Sequence, residues 1–463
     1  MFTSSRSDVK CQIPSARILL LLLAGCFLDS CATDHRSYEN ERAAAAKKPG
    51  TAPEPGAAPM TVIEFDERGD FWKASQAEEA EKMIKAMRRP ILITYVHGWR
   101  HDARPGDNDL KNFQHFLAEL NKGLPNRVCG VYIGWRGASV NEAGLAGLFS
   151  EPAAIFSFWG RKKITDQMAG VSMSSTLWNL GETARTKGNG PGHCILIGHS
   201  FGGRIVEHTL GHAAIAQMHN NKPMPYDLTF LINPAAESLY ARQLKQALSK
   251  WTAEQPAIVT ITARNDGPNA TAWPVALHLP DGVRSRNYEL NGKVSKTESQ
   301  RSYMTKTVGN DERQWTHEVD MEQEKAETAS MKVTTQNAGA ETSGNCFNVR
   351  LEGEKAGTVA KCKVVPLPPA PAGESPRSKA YWVVPVEKSI LSGHGNGSAV
   401  NGIFSDSMTD LMIGIIMQVK AIQRTAPNVP LSSPGKTQNS DAPAGAISTP
   451  GLAIPILSNF KAN

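Results

Sequence analysis

The 463 residues contain none of the short patterns that hold metals, nucleotides or redox cofactors: no CxxC pair, no HExxH, no GxxxxGK[ST] loop and no GxGxxG turn. Such a chain is expected to work without a cofactor or metal. Strong charge is also missing. The net charge is +6; residues 1–25 supply three bases (Arg6, Lys10, Arg17) less one acid (Asp8), which leaves +4 for the rest. No basic face gathers, so a nucleic-acid partner is not expected. A membrane-spanning helix needs about 20 apolar residues, and the run Ile18–Leu23 falls far short. No internal repeat stands out.

What the chain does have is a stretch from His193 to Met218, HCILIGHSFGGRIVEHTLGHAAIAQM. Cys194 to Ile197 form an apolar run that predicts a buried strand, and Val206, Leu210, Ala213 and Ala214 recur at helical spacing after Phe201. Between the two lies Gly198-His199-Ser200-Phe201-Gly202. A serine on a sharp strand-to-helix turn holds an unfavourable backbone conformation, and glycines two before and two after it relieve the crowding. The helix behind it offers backbone N–H groups and a positive dipole end to a developing oxyanion.

This GHSFGG stretch resembles the nucleophile elbow of the α/β-hydrolase superfamily in its lipase and esterase style, within a group of uncharacterised bacterial members. The resemblance covers about residues 60–283 and 378–424. It implies an α/β fold with a mostly parallel central sheet, helices on both faces and a long insertion before the last strand. The rhythm of the chain agrees. Strands are expected at Thr61–Phe65, Ile91–Val96, Arg127–Trp135, Leu228–Ile232, Ala257–Ala263 and Tyr381–Val386, alternating with helices at Ala74–Met87, Asp107–Leu124, Tyr240–Trp251 and Phe404–Ile422.

Site residues follow from the same resemblance. Ser200 is the expected nucleophile and His394, in the Gly-flanked loop after the last strand, its general base. Asp266, in the turn after Ala263, is the expected acid, with Glu237 as the competing position; the chain order Ser, Asp, His is that of the superfamily. The His97-Gly98-Trp99 turn opens the expected oxyanion loop. N–H groups near Gly98 or Trp99 and at Phe201 would hold the oxyanion. Trp99 and Trp135 are read either as walls of an acyl pocket or as core. The implied reaction is hydrolysis of a carboxylic ester or related acyl bond in a small-molecule or lipid-like substrate. The alternative is a cell-envelope lipoprotein that uses the fold as a binding or scaffolding module.

The ends of the chain point to export. Charged residues, Ile18–Leu23 and then Leu23-Ala24-Gly25-Cys26 resemble a bacterial lipoprotein signal, with Cys26 lipidated and Phe27 directing the product toward the outer membrane; the alternative is a plain secretory signal with a nearby cysteine. Residues 26–59, rich in Ala and Pro, are expected to be a flexible tether to the membrane, and 60–424 the hydrolase domain. Within the insertion at 284–380, Lys293 to Gly344 reads as polar loop, helix or disorder, and the whole as lid-like or partly disordered. FNVRL and TVAK read as hairpin arms bracketed by Cys346 and Cys362. In an exported protein these two form the natural disulfide pair, although sequence alone does not prove the pairing. Cys129 and Cys194 read as buried thiols. Residues 425–463 are expected to be a disordered Pro/Ser-rich tail. Oligomeric state is left open.

Overall fold

The computed structural model describes residues 37–47, 56–99, 101–137, 162–187, 192–220, 222–253, 255–274, 287–290, 293–324, 346–368, 378–395 and 402–425. Cys26 and the tail after 425 lie outside the described residues. The chain divides into two compact units after Arg424, and the first of them carries the sheets.

In chain order the elements are α1 (Glu39–Ala46), β1 (Met60–Glu64), α2 (Ser75–Ala86), β2 (Ile91–Val96), α3 (Asn108–Gly123), β3 (Val128–Gly134), α4 (Val171–Glu182), β4 (His193–His199), α5 (Phe201–His219), β5 (Leu228–Ile232), α6 (Ser238–Ala247) and β6 (Ile258–Ala263). The insertion adds β7 (Asn287–Leu290), β8 (Lys293–Ser299), α7 (Gln300–Met304), β9 (His317–Glu324), β10 (Phe347–Arg350) and β11 (Val359–Pro366). The fold then resumes with β12 (Tyr381–Val386) and α8 (Asp406–Thr425).

Seven strands form one parallel sheet in the order β1-β3-β2-β4-β5-β6-β12. Their side chains alternate between two apolar layers, as the two-residue period of a strand requires. Leu92, Val131, Leu196 and Val383 face one layer, where α2, α4, α5 and α6 contribute Ile84, Leu177, Ile205 and Leu244. Ile93, Tyr132, Ile197 and Val384 face the other, against Phe113 and Leu117 of α3 and Leu411 and Ile415 of α8. Helices therefore cover both faces, and the topology is that of an α/β hydrolase.

The order also fixes where a site belongs. From β2 the chain crosses to β3 on one side, through α3 on one face; from β4 it crosses to β5 on the other side, through α5 on the opposite face. Adjacent parallel strands whose connections diverge leave a crevice at their carboxyl ends. That crevice lies between β2 and β4, where Val96 pairs with Gly198, so Gly98 and Ser200 end up side by side.

Three expectations need correction. Residues 39–46, assigned to the tether, form α1 instead. The helix is held by polar contacts rather than apolar burial: Arg42 pairs with the buried Glu64 at 2.7 Å and donates to the Ala103 carbonyl, and the Ser37 hydroxyl also donates to Glu64. A composition-based reading weighs only apolar surface and misses such a clamp. Similarly, the polar stretch after Lys293 is not merely loop or helix. β9 joins β11 and β10 in a three-stranded antiparallel sheet, and Tyr303, Thr307, Val308 and Asp311 are buried. The hairpin of FNVRL and TVAK is present as β10 and β11.

The pairing expected between Cys346 and Cys362 is not made; both are free thiols. Phe347, not Cys346, lies opposite Cys362. Neighbours along a strand point to opposite faces, so one residue of offset turns the two sulfurs apart. Cys129 and Cys194 are buried and free, and burial pushes both thiols well up, Cys129 to about 12.

Candidate active site

Ser200 joins β4 to α5 at φ 54° and ψ −120°, a conformation that side-chain-bearing residues rarely hold. It is kept there from several directions. Its N–H donates to the Ile232 carbonyl and its own carbonyl accepts from Ala235 and Arg204. The turn is also closed on by neighbouring backbone: a Cβ on Gly202 would lie 2.1 Å from the Val96 carbonyl oxygen, and one on Gly198 would lie 2.8 Å from Cα of Gly203. Both glycines of the GxSxG pattern are required for this close approach.

His394 reaches Ser200 from the loop after β12. Its Nε2 lies 2.7 Å from Ser200 Oγ, and its Nδ1 lies 2.9 Å from Asp266 Oδ1. An ionised carboxylate only accepts, so Nδ1 carries the hydrogen and Nε2 is left to accept the serine proton. Asp266 is fully buried at the end of β6. Its Oδ1 also accepts from the Asn269 backbone N–H, and its Oδ2 accepts from Asn269 Nδ2 at 2.8 Å. The three residues form a Ser-His-Asp triad at a nucleophile elbow, and this is the catalytic site of a serine hydrolase.

Glu237, the competing acid, is engaged elsewhere. It pairs with the Arg204 guanidinium and with Lys162 Nζ at 2.8 Å. Burial pushes its carboxyl up, but the two cations outweigh that effect and hold it at about 2. Arg204 also pairs with Asp166 at 2.7 Å, so the cluster fastens the helical stretch 162–168 to α5.

On the other side of the crevice, His97 follows the end of β2 and leads into Gly98. Its Nδ1–H donates to the Gly98 carbonyl at 2.8 Å and its Nε2 accepts from Trp135 N–H at 3.0 Å. The ring stacks on Trp135, whose indole N–H donates to the His97 carbonyl. Burial lowers the His97 pKa to about 4, so the ring is neutral and its two bonds fix the backbone at Gly98. A Cβ on Gly98 would lie 3.0 Å from Ser200 Cβ, so only glycine lets this loop come so close to the nucleophile. Trp135 is core, 3% exposed, which decides between the two readings of that residue.

Three asparagines at the site went unnoticed in the sequence. Asn233, fully buried and at φ 42°, donates from Nδ2 to the Gly393 carbonyl and accepts from Ala263 N–H at Oδ1. Asn265 Oδ1 accepts from Gly393 N–H. Asn269 braces Asp266. Their only signal in sequence was position: Asn233 and Asn265 lie just past the ends of β5 and β6, and Asn269 lies in the helical turn that follows Asp266. Among the described residues no group of three or more His, Cys, Asp or Glu side chains is arranged to hold a metal ion, and no helix is long and apolar enough to cross a membrane. No family model matches the chain, and no curated protein matches it significantly. The functional class therefore rests on the fold and the triad.

Proposed function

We propose that this protein is an exported, lipid-anchored carboxylic ester hydrolase of the bacterial cell envelope, related to the lipase and esterase members of the α/β-hydrolase superfamily. The observation that carries the catalytic part is the continuous hydrogen-bonded line Ser200–His394–Asp266 on a strained elbow. As substrate enters, His394 Nε2 takes the Ser200 proton while Oγ attacks the acyl carbon. Asp266 holds the Nδ1–H tautomer and stabilises the imidazolium. The carbonyl oxygen, now negative, sits against N–H groups at Phe201 and at Gly98 or Trp99. His394 then returns the proton to the leaving alcohol, and a water activated by the same imidazole releases the acid.

The anchor is read from Leu23-Ala24-Gly25-Cys26 alone. An acyl chain on Cys26 would hold the enzyme at the outer membrane, and a lipid-like ester is the substrate class such a location favours. The test is the full chain assayed on p-nitrophenyl esters of increasing acyl length beside the matching p-nitroanilides. Turnover of esters that is lost in Ser200→Ala supports the reading; cleavage of anilides alone makes the protein a peptidase, and no turnover with either favours a binding module. Incorporation of labelled palmitate that disappears in Cys26→Ala tests the anchor separately.

A further inference from the structure

His199, the residue before the nucleophile, is 2% exposed and touches both halves of the catalytic apparatus. Its Nε2 lies 2.8 Å from the backbone carbonyl of His394. A carbonyl only accepts, so Nε2 carries the hydrogen and Nδ1 is a bare acceptor. Among the described residues that acceptor has no hydrogen-bond partner, and Gly98 packs against it: a Cβ there would lie 2.8 Å from His199 Nδ1. A buried polar atom left without a partner costs stability. For stability alone, an apolar side chain would fill this place better. The histidine makes sense through the one bond it does form.

That bond matters because of the loop it holds. Gly393 and Gly395 on either side of His394 sit at φ 57° and 77°, so the loop is built from residues with wide backbone freedom. Three side chains from the ends of three neighbouring strands pin it. Asn265, beyond β6, takes the Gly393 N–H; Asn233, beyond β5, takes the Gly393 carbonyl; His199, the last residue of β4, takes the His394 carbonyl. Of these, only His199 grips the catalytic residue itself, and it is covalently joined to Ser200.

Resting on the assignment of Ser200 and His394 as nucleophile and base, we propose that His199 is a positioning residue: its Nε2–H, donated to the His394 carbonyl, sets the distance between the imidazole and Ser200 Oγ. The serine and the bond that places its base then move as one unit at the strand end. His199 stays neutral, since burial and the neighbouring His394 both press its pKa well down. A charged ring here would disfavour the imidazolium that forms on His394 during the reaction.

The experiment compares the full chain with His199→Phe, which keeps a ring but has no donor, and His199→Gln, whose amide restores one. Hydrolysis of p-nitrophenyl butyrate is measured per active site, counted by fluorophosphonate labelling taken to completion. The expected result is a fall in kcat of about 10- to 100-fold for Phe with KM nearly unchanged, since a small misplacement of a base is enough for such a loss. Gln should recover most of it. Wild-type kcat in the Phe variant, or equal losses in Phe and Gln, would overturn the proposal. Should the Phe variant fail to fold, nitrogen NMR of the histidine-labelled wild type decides: His199 in the Nε2–H form is expected, and an Nδ1–H form would overturn it. A wild type that neither labels nor turns over ester would instead remove the assignment of Ser200.

Discussion

Replacing Asp266 by Asn is the perturbation whose outcome the structure determines in most detail. Two side-chain donors converge on residue 266, His394 Nδ1–H at Oδ1 and Asn269 Nδ2–H at Oδ2, 2.9 and 2.8 Å away, and the Asn269 backbone N–H adds a longer contact to Oδ1 at 3.3 Å. A carboxylate satisfies both, whereas an amide has one oxygen. If that oxygen faces His394, the new NH2 meets the Asn269 amide donor to donor. Turning the Asn269 amide over would relieve the clash but lose its bond to the Asn233 carbonyl, at 3.1 Å. The cheaper arrangement points the oxygen of residue 266 at the Asn269 side chain and its NH2 at His394, giving up only the 3.3 Å contact from the Asn269 backbone N–H. The imidazole must then accept at Nδ1, carry its hydrogen on Nε2 and point a donor at Ser200. In a Ser-His-Asp site, loss of the working tautomer lowers kcat by about 10⁴, or about 5.5 kcal/mol of transition-state stabilisation. The assay is steady-state hydrolysis of p-nitrophenyl butyrate at neutral pH, with circular dichroism to establish folding. Partial recovery is expected in Asp266→Asn/Asn269→Asp, where residue 269 becomes the acceptor. A folded Asp266→Asn variant with kcat within tenfold of wild type would refute the reasoning.

Two further substitutions separate structure from chemistry. Glu237→Gln leaves Arg204 buried with a weakened partner, so it should cost about 3 kcal/mol of stability, seen as a lower denaturant midpoint, while kcat per labelled active site stays at the wild-type value; a selective loss of kcat would return Glu237 to the triad. Glu207, fully buried against the Tyr381 hydroxyl, is raised by burial to about 7. Its folded pKa lies above its unfolded one, so its contribution to stability is complete below about 4.5 and is lost as pH rises through about 7, a change of about 3 kcal/mol. His97, lowered to about 4, acts in the opposite sense, its contribution being lost as pH falls through that region. The test is therefore the difference between wild type and Glu207→Gln: the variant should lose less stability between pH 5 and pH 8, and parallel curves would contradict the assignment.

How much of this was legible in the residues depended on what kind of force was at work. The core strands announce themselves because parallel strands buried on both faces read as unbroken apolar runs, as at Ile91–Val96 and Leu228–Ile232. Ser200, Asp266 and His394 were legible because the elbow needs glycines at fixed offsets and the acid and base follow at strand ends. The rest is held by polar contacts between distant segments, which leave no periodic trace. Arg42 on Glu64, Arg204 on Glu237 and Asn233 on Gly393 are of this kind. β9, HEVDMEQE, hides for a related reason. It is an eight-residue strand of a small sheet, with Val319 and Met321 as its apolar members, and its charges read as solvated loop. The cysteine pairing failed on register, since a shift of one residue changes faces and composition carries no record of it.

The most direct measurement is fluorophosphonate labelling of the purified full chain, with the modified peptide located by mass spectrometry, in the wild type, Ser200→Ala and His394→Ala. The account predicts a single modified site at Ser200 in the wild type, no labelling in Ser200→Ala, and labelling slowed by orders of magnitude in His394→Ala. A folded wild type that fails to react, or equal labelling of Ser200→Ala, would contradict it.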